Sequence, residues 1–356
     1  MTHPESALPA QPSDDTARIL AESAARLFEQ ACPPASVRRA ESDPTVARGL
    51  WEQLDALGLP TACLPETAGG SGLGWSAIAG LVEACGEHAV PVALPEMLAA
   101  QLVARDLGLA LPAVARVTLA LARPDADDIV ADAVPGVTPG GQVLVQVGDR
   151  VLLLAVDAAH ASAGINSAGE SRTGLRWPGA AGRLSQATVA PTQCVLLAGA
   201  AVRTAQIAGA TRRALALSVG YANDRAQFGK PIGKFQAIQQ QLAVAAEWSA
   251  MATMAARLAM TDPGSSLDTD RVAACREVAC TAATQVAEVA HAVHGAIGVT
   301  IEYDLQLYTR RLKSWAAEFG SSRHWSGLLG RRLVEAGALT AWERTVALTS
   351  IPAPAP

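Results

Sequence analysis

Apolar positions fall into three regimes along the chain. From Asp15 to about Leu109 they recur at helical spacing: Leu20, Ala24, Leu27 and Phe28 form one set, and Leu50, Trp51, Leu54 and Leu57 another that ends at Gly58. The stretch Leu64-Pro-Glu-Thr-Ala-Gly-Gly-Ser-Gly72 breaks this pattern with a loop, and Ser76–Ala89 and Glu96–Leu107 resume it. From about Ala110 short Val- and Leu-rich runs take over, at Val114–Leu121, Ile129–Val134, Gln142–Val147, Val151–Val156, Leu175–Trp177 and Thr188–Leu197. Pro135-Gly136, Pro139-Gly140-Gly141 and Gly148-Asp149 punctuate them, which is a strand-and-turn pattern. Helical spacing returns at Gly199 and predicts helices over about 199–226, 234–261, 268–294, 303–318 and 322–336, with breaks at Asp262-Pro-Gly-Ser-Ser and Gly295-Ala-Ile-Gly298.

This order predicts an α+β fold with the sheet in the middle. A flexible tail covers 1–14, an N-terminal helical domain 15–111, a small β domain 112–198 and a C-terminal helical bundle 199–345; the Pro- and Ala-rich residues 346–356 form a second flexible tail. Apolar residues make up 50% of the chain but aromatics only 4%, so Ala, Leu and Val carry the core and helices are expected to approach closely. That composition excludes a disordered polyampholyte and a small disulfide scaffold. A net charge of −5 leaves no basic field for nucleic acid at the level of the whole chain. The six cysteines are scattered without a CxxC pair, so they are expected to be reduced and buried, and no metal site is expected. The N-terminus lacks a signal-peptide pattern, and apolar runs such as Cys194–Val202 are too short to cross a bilayer. A cytoplasmic protein without membrane insertion is the expectation.

The densest pattern is Tyr221-Ala-Asn-Asp-Arg-Ala-Gln-Phe-Gly-Lys-Pro-Ile-Gly-Lys-Phe-Gln-Ala-Ile-Gln239. A helix ends near Gln227, Gly229 turns the chain, and Pro231 prevents continuation. Arg225 lies just before the turn, where a guanidinium reaches an anion bidentately; the plain alternative is a cation satisfying a helix C-terminus. A second pattern, His294-Gly-Ala-Ile-Gly-Val-Thr-Ile-Glu-Tyr-Asp-Leu305, leads into Thr309-Arg-Arg-Leu-Lys313.

In this order and spacing the two stretches resemble the acyl-CoA dehydrogenase family, with its R-x-x-F-G-x-x-I, F-Q-x-x-Q and Gly-Gly-x-Gly motifs followed by an R-D-x-K helix. Leu64–Gly72, Val82-Glu-Ala-Cys-Gly86 and Pro91–Glu96 look like that family's first domain. The resemblance covers about 45–345 and is weakest in the middle. It implies N-terminal helices, a central β domain, a C-terminal four-helix bundle, FAD and a thioester substrate. The implied reaction removes an α proton with a carboxylate while hydride leaves the β carbon for the flavin.

The chain departs from the family where that chemistry is done. Counting without gaps, the family's usual Glu falls on Phe319, and its alternative base position falls on Gly199, with Arg203 the nearest cation one turn later. Glu318 lies one residue before the usual position; on a helix that is a rotation of about 100°, so it is expected to point away as a solvated or structural carboxylate and to serve as base only after a one-residue slip. Glu247 is a further carboxylate, read as a polar-face residue. Only a faint echo of the family's flavin-facing loop remains, in Ala120–Asp127, and the β domain is short.

The retained residues share a role. In the family the adenosine pyrophosphate end of each FAD is gripped by the neighbouring subunit, and the resemblance assigns that grip to Arg225, Phe228 and Gln236 and to the turn His294, Gly295 and Ala296. Ala296 replaces a usual Gly, and Ser321 stands where a Thr meets the flavin. Packing roles are the alternative for Phe228, Gln236 and His294. The leading expectation is therefore a base-less subunit of a heteromeric acyl-CoA dehydrogenase, whose second subunit carries the catalytic Glu. Trp315-Ala-Ala-Glu-Phe-Gly320 is similar to a stretch in steroid-catabolic members, so a bulky or steroid-like acyl-CoA is the expected substrate. A self-sufficient homomeric dehydrogenase and a flavin-free assembly subunit remain open alternatives.

Overall fold

The computed structural model describes residues 14–112, 116–190, 193–261, 266–336 and 341–349. Residues 1–13 of the tail expected at 1–14, residues 350–356 of the tail expected at 346–356, residues 262–265 of the break at 262–266 and the start of the first strand run, 114–115, lie outside the described residues. Five helices build the N-terminal region: α1 (Asp14–Ala31), α2 (Pro34–Ala40), α3 (Pro44–Ala56), α4 (Trp75–Glu87) and α5 (Leu94–Asp106). The start of α3 is set locally, because Asp43 accepts the Thr45 N–H at 2.9 Å and Pro44 follows with its φ already helical.

Two four-stranded sheets follow, ordered β1-β4-β5-β8 and β2-β3-β7-β6. Their strands are β1 (Val117–Leu121), β2 (Arg123–Asp125), β3 (Asp128–Pro135), β4 (Gln142–Val147), β5 (Arg150–Ala155), β6 (His160–Ser162), β7 (Arg172–Trp177) and β8 (Thr188–Val189). β1 runs parallel to β4 with Val117 opposite Gln142, and the remaining pairings are antiparallel. The near-continuous apolar run of β4 reflects burial on both faces. Val143 and Val145 pack into a core shared with Ile129, Leu175 and Trp177 of the second sheet, whereas Leu144 joins Leu119 in the main helical core.

The last helices are α6 (Cys194–Asp224), α7 (Gln236–Ala259), α8 (Thr269–His294), α9 (Leu305–Ala317), α10 (Ser322–Ala336) and α11 (Ala341–Thr349), with a hairpin, β9 (Ala226–Gln227) and β10 (Lys230–Pro231), between α6 and α7. The sequence places a strand over Thr188–Leu197, but the strand stops at Val189 and a helix begins at Cys194. A short apolar run carries too little periodicity to separate the two, and its second half belongs to a helix that continues for seven more turns. Helix also extends through Thr349, four residues past the expected end of the bundle. α6 is the hub. At Gly209 an added Cβ would stand 1.9 Å from the Glu83 carbonyl oxygen of α4, a close approach that only glycine permits.

By length and composition α6 qualifies as a membrane span, in contrast to the expectation from its short apolar runs, but 94% of its most apolar window is buried in the protein. All six cysteines are free thiols, five buried and Cys194 half-buried, and burial raises their pKa values, with Cys32, Cys63 and Cys275 pushed up to about 12. Among the described residues no group of three metal-ligating side chains is present.

Candidate functional site

A cleft of about 710 Å³ opens between the N-terminal helices and the β domain. Val37, Trp51, Val92, Val137 and Ile165 contribute to its walls, and Glu96, Glu170, Arg172, Arg203 and Arg311 to its lining. These charged groups come from three parts of the fold. Glu96 is on α5, Glu170 and Arg172 belong to the β domain, and Arg203 and Arg311 to the C-terminal helices. Arg203 and Arg311 are each 1% exposed, so this is ion pairing inside the protein and not a solvated face.

Glu318 completes the network. α9 ends at Ala317, and Glu318 is its extended C-cap, followed by Phe319 at φ +50 and Gly320 at φ +87. The helical rotation expected between Glu318 and Phe319 does not apply, because the chain has already left the helix. Nor is Glu318 solvated: Arg203 Nε donates to it at 2.9 Å, Arg172 Nη2 to both oxygens at 2.9 and 3.0 Å, and Asn166 Nδ2 at 3.0 Å. Burial alone would raise its pKa, but Arg203, then Arg172, and the Asn166 and Arg203 hydrogen bonds outweigh that and lower it from 4.5 to about 2. Burial likewise opposes ionisation of Glu170, yet Arg311, Arg172 and Arg203 hold its carboxyl below the usual range. Arg203 also pairs with Glu96 at 2.6 Å. Arg276, fully buried, donates to the carbonyls of Trp315 and Glu318 and so fixes the turn that carries Phe319.

Phe319 and Gly199 meet. An added Cβ on Gly199 would stand 2.2 Å from Phe319 Cδ1, so the phenyl ring lies against the α6 backbone at a residue without a side chain. The two positions expected to carry a base thus face one another, one filled by a hydrocarbon ring and the other bare. Proton abstraction needs a carboxylate whose pKa lies near the working pH. Glu318 is held far below it, and Glu247 is exposed on α7.

A different surface gathers at the α6–α7 hairpin. Gln227 pairs with Lys230, leaving Phe228 and Gly229 as a two-residue turn with φ +52 and +78. Such a turn prefers Asn-Gly, because a side chain at positive φ is strained. Phe228 occupies the strained position and is nevertheless 91% exposed. Arg225 and Gln236 are exposed beside it, and the hairpin is tied by Ile232 N–H donating to the Arg225 carbonyl at 2.8 Å. At the end of α8, Gly295 and Ala296 are exposed, with Gly295 at φ +63. His294 is not: it is buried, its Nδ1 lies 2.7 Å from the Ala290 carbonyl, and burial lowers its pKa, so it is a neutral packed ring and not a cation facing outward. Ser321 is exposed, and its carbonyl accepts the His324 N–H at 2.9 Å as α10 begins.

Residues 14–108 match the acyl-CoA dehydrogenase N-terminal domain and residues 192–334 its C-terminal domain. The chain belongs to the acyl-CoA dehydrogenase family. This is a family of flavoprotein oxidoreductases, and the observed arrangement of N-terminal helices, β domain and helical bundle is its fold. Acyl-CoA dehydrogenase IpdE2 of Mycolicibacterium smegmatis is 29% identical over 320 residues, covering 86% of this chain and 94% of that protein. Among solved structures, a variant of the Tcur3481-Tcur3483 steroid ACAD superposes with a TM-score of 0.77 at 24% identity, over 91% of this chain and 99% of that one. A chain of the ChsE4-ChsE5 complex from Mycobacterium tuberculosis gives 0.74 at 24% identity, over 91% and 98%.

The ionic network was the part missed from sequence. From sequence Arg203 is only the nearest cation to Gly199, and its partners lie up to 115 residues away. The available signal is its setting among apolar residues in the first turns of α6, since a buried arginine must have carboxylates somewhere in the fold.

Proposed function

We propose that this chain is the base-less subunit of a heteromeric acyl-CoA dehydrogenase, which grips the adenosine end of an FAD whose ring sits in a partner subunit carrying the catalytic Glu. The observation that carries this reading is the contrast between its two surfaces. Neither family base position nor Glu318 supplies a fitting base, because Phe319 fills the space over Gly199 and Glu318 is locked to Arg172 and Arg203. No step of the reaction is therefore routed through this chain's own cleft. The exposed hairpin does fit part of the cofactor. It offers a guanidinium for a pyrophosphate, a strained and solvent-facing phenyl ring for an aromatic face, and a carboxamide, with the backbone of Gly295 and Ala296 bare nearby in sequence to the end of α8.

In such a complex FAD would supply the hydride acceptor for the β carbon of the thioester. Residues of this chain would hold it: Arg225 the negative charge of the pyrophosphate, Phe228 and Gln236 the adenosine side, and Ser321 a contact to the flavin. The two-chain ChsE4-ChsE5 and Tcur3481-Tcur3483 neighbours support the heteromer, and the steroid ACAD among them supports a bulky, ring-bearing acyl-CoA as substrate. Reduced, buried thiols support a cytoplasmic setting.

Co-expression with a second acyl-CoA dehydrogenase chain that retains the Glu tests the reading. A steroid-like acyl-CoA is expected to bleach the flavin absorbance of the purified pair, and Arg225→Ala in this chain is expected to remove the flavin. Turnover by this chain alone would overturn it.

A further inference from the structure

The two segments assigned to the cofactor are joined by three aromatic rings, His294 buried and Tyr221 and Tyr303 half-buried. Tyr221 lies one turn before Arg225, whose N–H donates to the Tyr221 carbonyl at 2.8 Å. His294 is the last residue of α8 and immediately precedes Gly295. The Tyr221 and His294 rings stack with centroids 4.5 Å apart at 24°. Tyr303 closes the group edge-on, 6.0 Å from Tyr221 at 77° and 5.0 Å from His294.

The hydrogen bonds make the arrangement directional. A carbonyl only accepts, so His294 Nδ1 carries the proton it gives to Ala290 at 2.7 Å. In the neutral ring Nε2 is then an acceptor, and Tyr303 O–H faces it at 3.3 Å. The segment beyond is pinned from the other side by Arg38 of α2, which donates to the carbonyls of Ile301 at 3.1 Å and Glu302 at 3.2 Å and pairs with Asp304. Alanine is the residue type that the two helices carrying the clasp bury most often, including Ala210 and Ala214 on α6 and Ala283, Ala287 and Ala290 on α8. Small side chains interdigitate little, so they leave the relative setting of the two helix ends to the rings.

We propose that Tyr221, His294 and Tyr303 form a clasp that fixes the Arg225–Gln236 hairpin and the Gly295–Ala296 turn relative to each other, so that both meet the dinucleotide as one preorganised unit. This rests on the assignment of those segments to the partner's FAD. The three rings are positioning residues; His294, at 4% exposure, does not reach the surface. Their work is to remove the cost of ordering two segments when the cofactor binds.

The test uses the two-chain complex, stripped of flavin and titrated with FAD by fluorescence. Tyr221→Leu, which removes the stack, is expected to weaken FAD binding about tenfold, the scale of one aromatic pair. Tyr221→Phe, which keeps the stack, is expected to stay within about twofold, and Tyr303→Phe to weaken binding about threefold through loss of one hydrogen bond. The KM for acyl-CoA is expected to be unchanged throughout. A folded Tyr221→Leu complex with FAD affinity within about twofold of the parent overturns the clasp, as does a Phe variant as weak as the Leu variant. If Tyr221→Leu does not assemble, Tyr303→Phe decides, and parental affinity there overturns the proposal. Arg225→Ala separates the two ideas: weakened binding with Arg225→Ala but not with the ring variants rejects the clasp alone, whereas no effect of Arg225→Ala rejects the cofactor assignment beneath it.

Discussion

Replacing Glu318 by Gln removes one charge from the centre of the buried network and leaves the shape nearly unchanged. The carboxylate is lowered from 4.5 to about 2, and each unit is worth about 1.4 kcal/mol, so its ionisation stabilises the fold by about 3 kcal/mol at neutral pH. The figure needs little discount for solvent, because the side chain is 20% exposed and its main partner Arg203 is 1% exposed. Arg203 keeps Glu96 and Arg172 keeps Glu170, which holds the loss to the lower end of the range for breaking a buried pair. Because the folded-state pKa lies below the unfolded one, the stabilisation is fully present above pH 4.5 and disappears as pH falls toward 2. At pH 3 about 1.4 kcal/mol of it remains. Urea unfolding followed by circular dichroism at pH 7 and at pH 3 is the assay. A Gln variant less stable by about 3 kcal/mol at pH 7, with the gap roughly halved at pH 3, is the expected result. A variant within about 0.5 kcal/mol of the parent at both pH values would refute the reasoning. So would a fully folded variant of the complex that loses proton abstraction, since that would restore Glu318 as the base.

Phe228→Asn puts a residue suited to positive φ into the hairpin turn, and is expected to stabilise the isolated chain by about 1 kcal/mol while weakening flavin retention in the complex; thermal melts and flavin release measure the two effects. Gly199→Ala drives a methyl group into the Phe319 ring and is expected to cost about 1–3 kcal/mol, a loss that Phe319→Leu in the same chain reduces in a double-mutant cycle read by urea unfolding. Additive losses would mean that the ring does not lie over Gly199 in solution.

Much of this fold is legible in the residues. Asp43-Pro44 fixes a helix start, Gly58 a helix end, and the bundle helices fall within a few residues of where their spacing puts them, because each rests on local signals. The miss at Thr188–Leu197 is a failure of local signal: Val195, Leu196 and Leu197 are as apolar as a strand until the following residues reveal the helical hub. The site divides in the same way. Arg225, Phe228 and Gln236 lie within twelve residues and their hairpin follows from Gly229 and Pro231, although nothing in the sequence shows that Phe228 takes the strained position. The cluster of Glu96, Glu170, Arg172, Arg203 and Glu318 depends on how three regions dock, and no spacing rule connects them. His294 shows the limit of carrying a role across by motif, since its ring turns inward and the turn after it faces out.

The central claim is that this chain lends its cofactor grip to another subunit and holds no working flavin site of its own. The ratio of FAD to chain, measured by absorbance on the isolated protein and on its complex with a Glu-bearing partner, tests it directly. The account predicts no stoichiometric FAD on the isolated chain, one FAD per pair in the complex, and loss of that FAD with Arg225→Ala in this chain. One FAD per chain on the isolated protein, together with oxidation of an acyl-CoA, would contradict it.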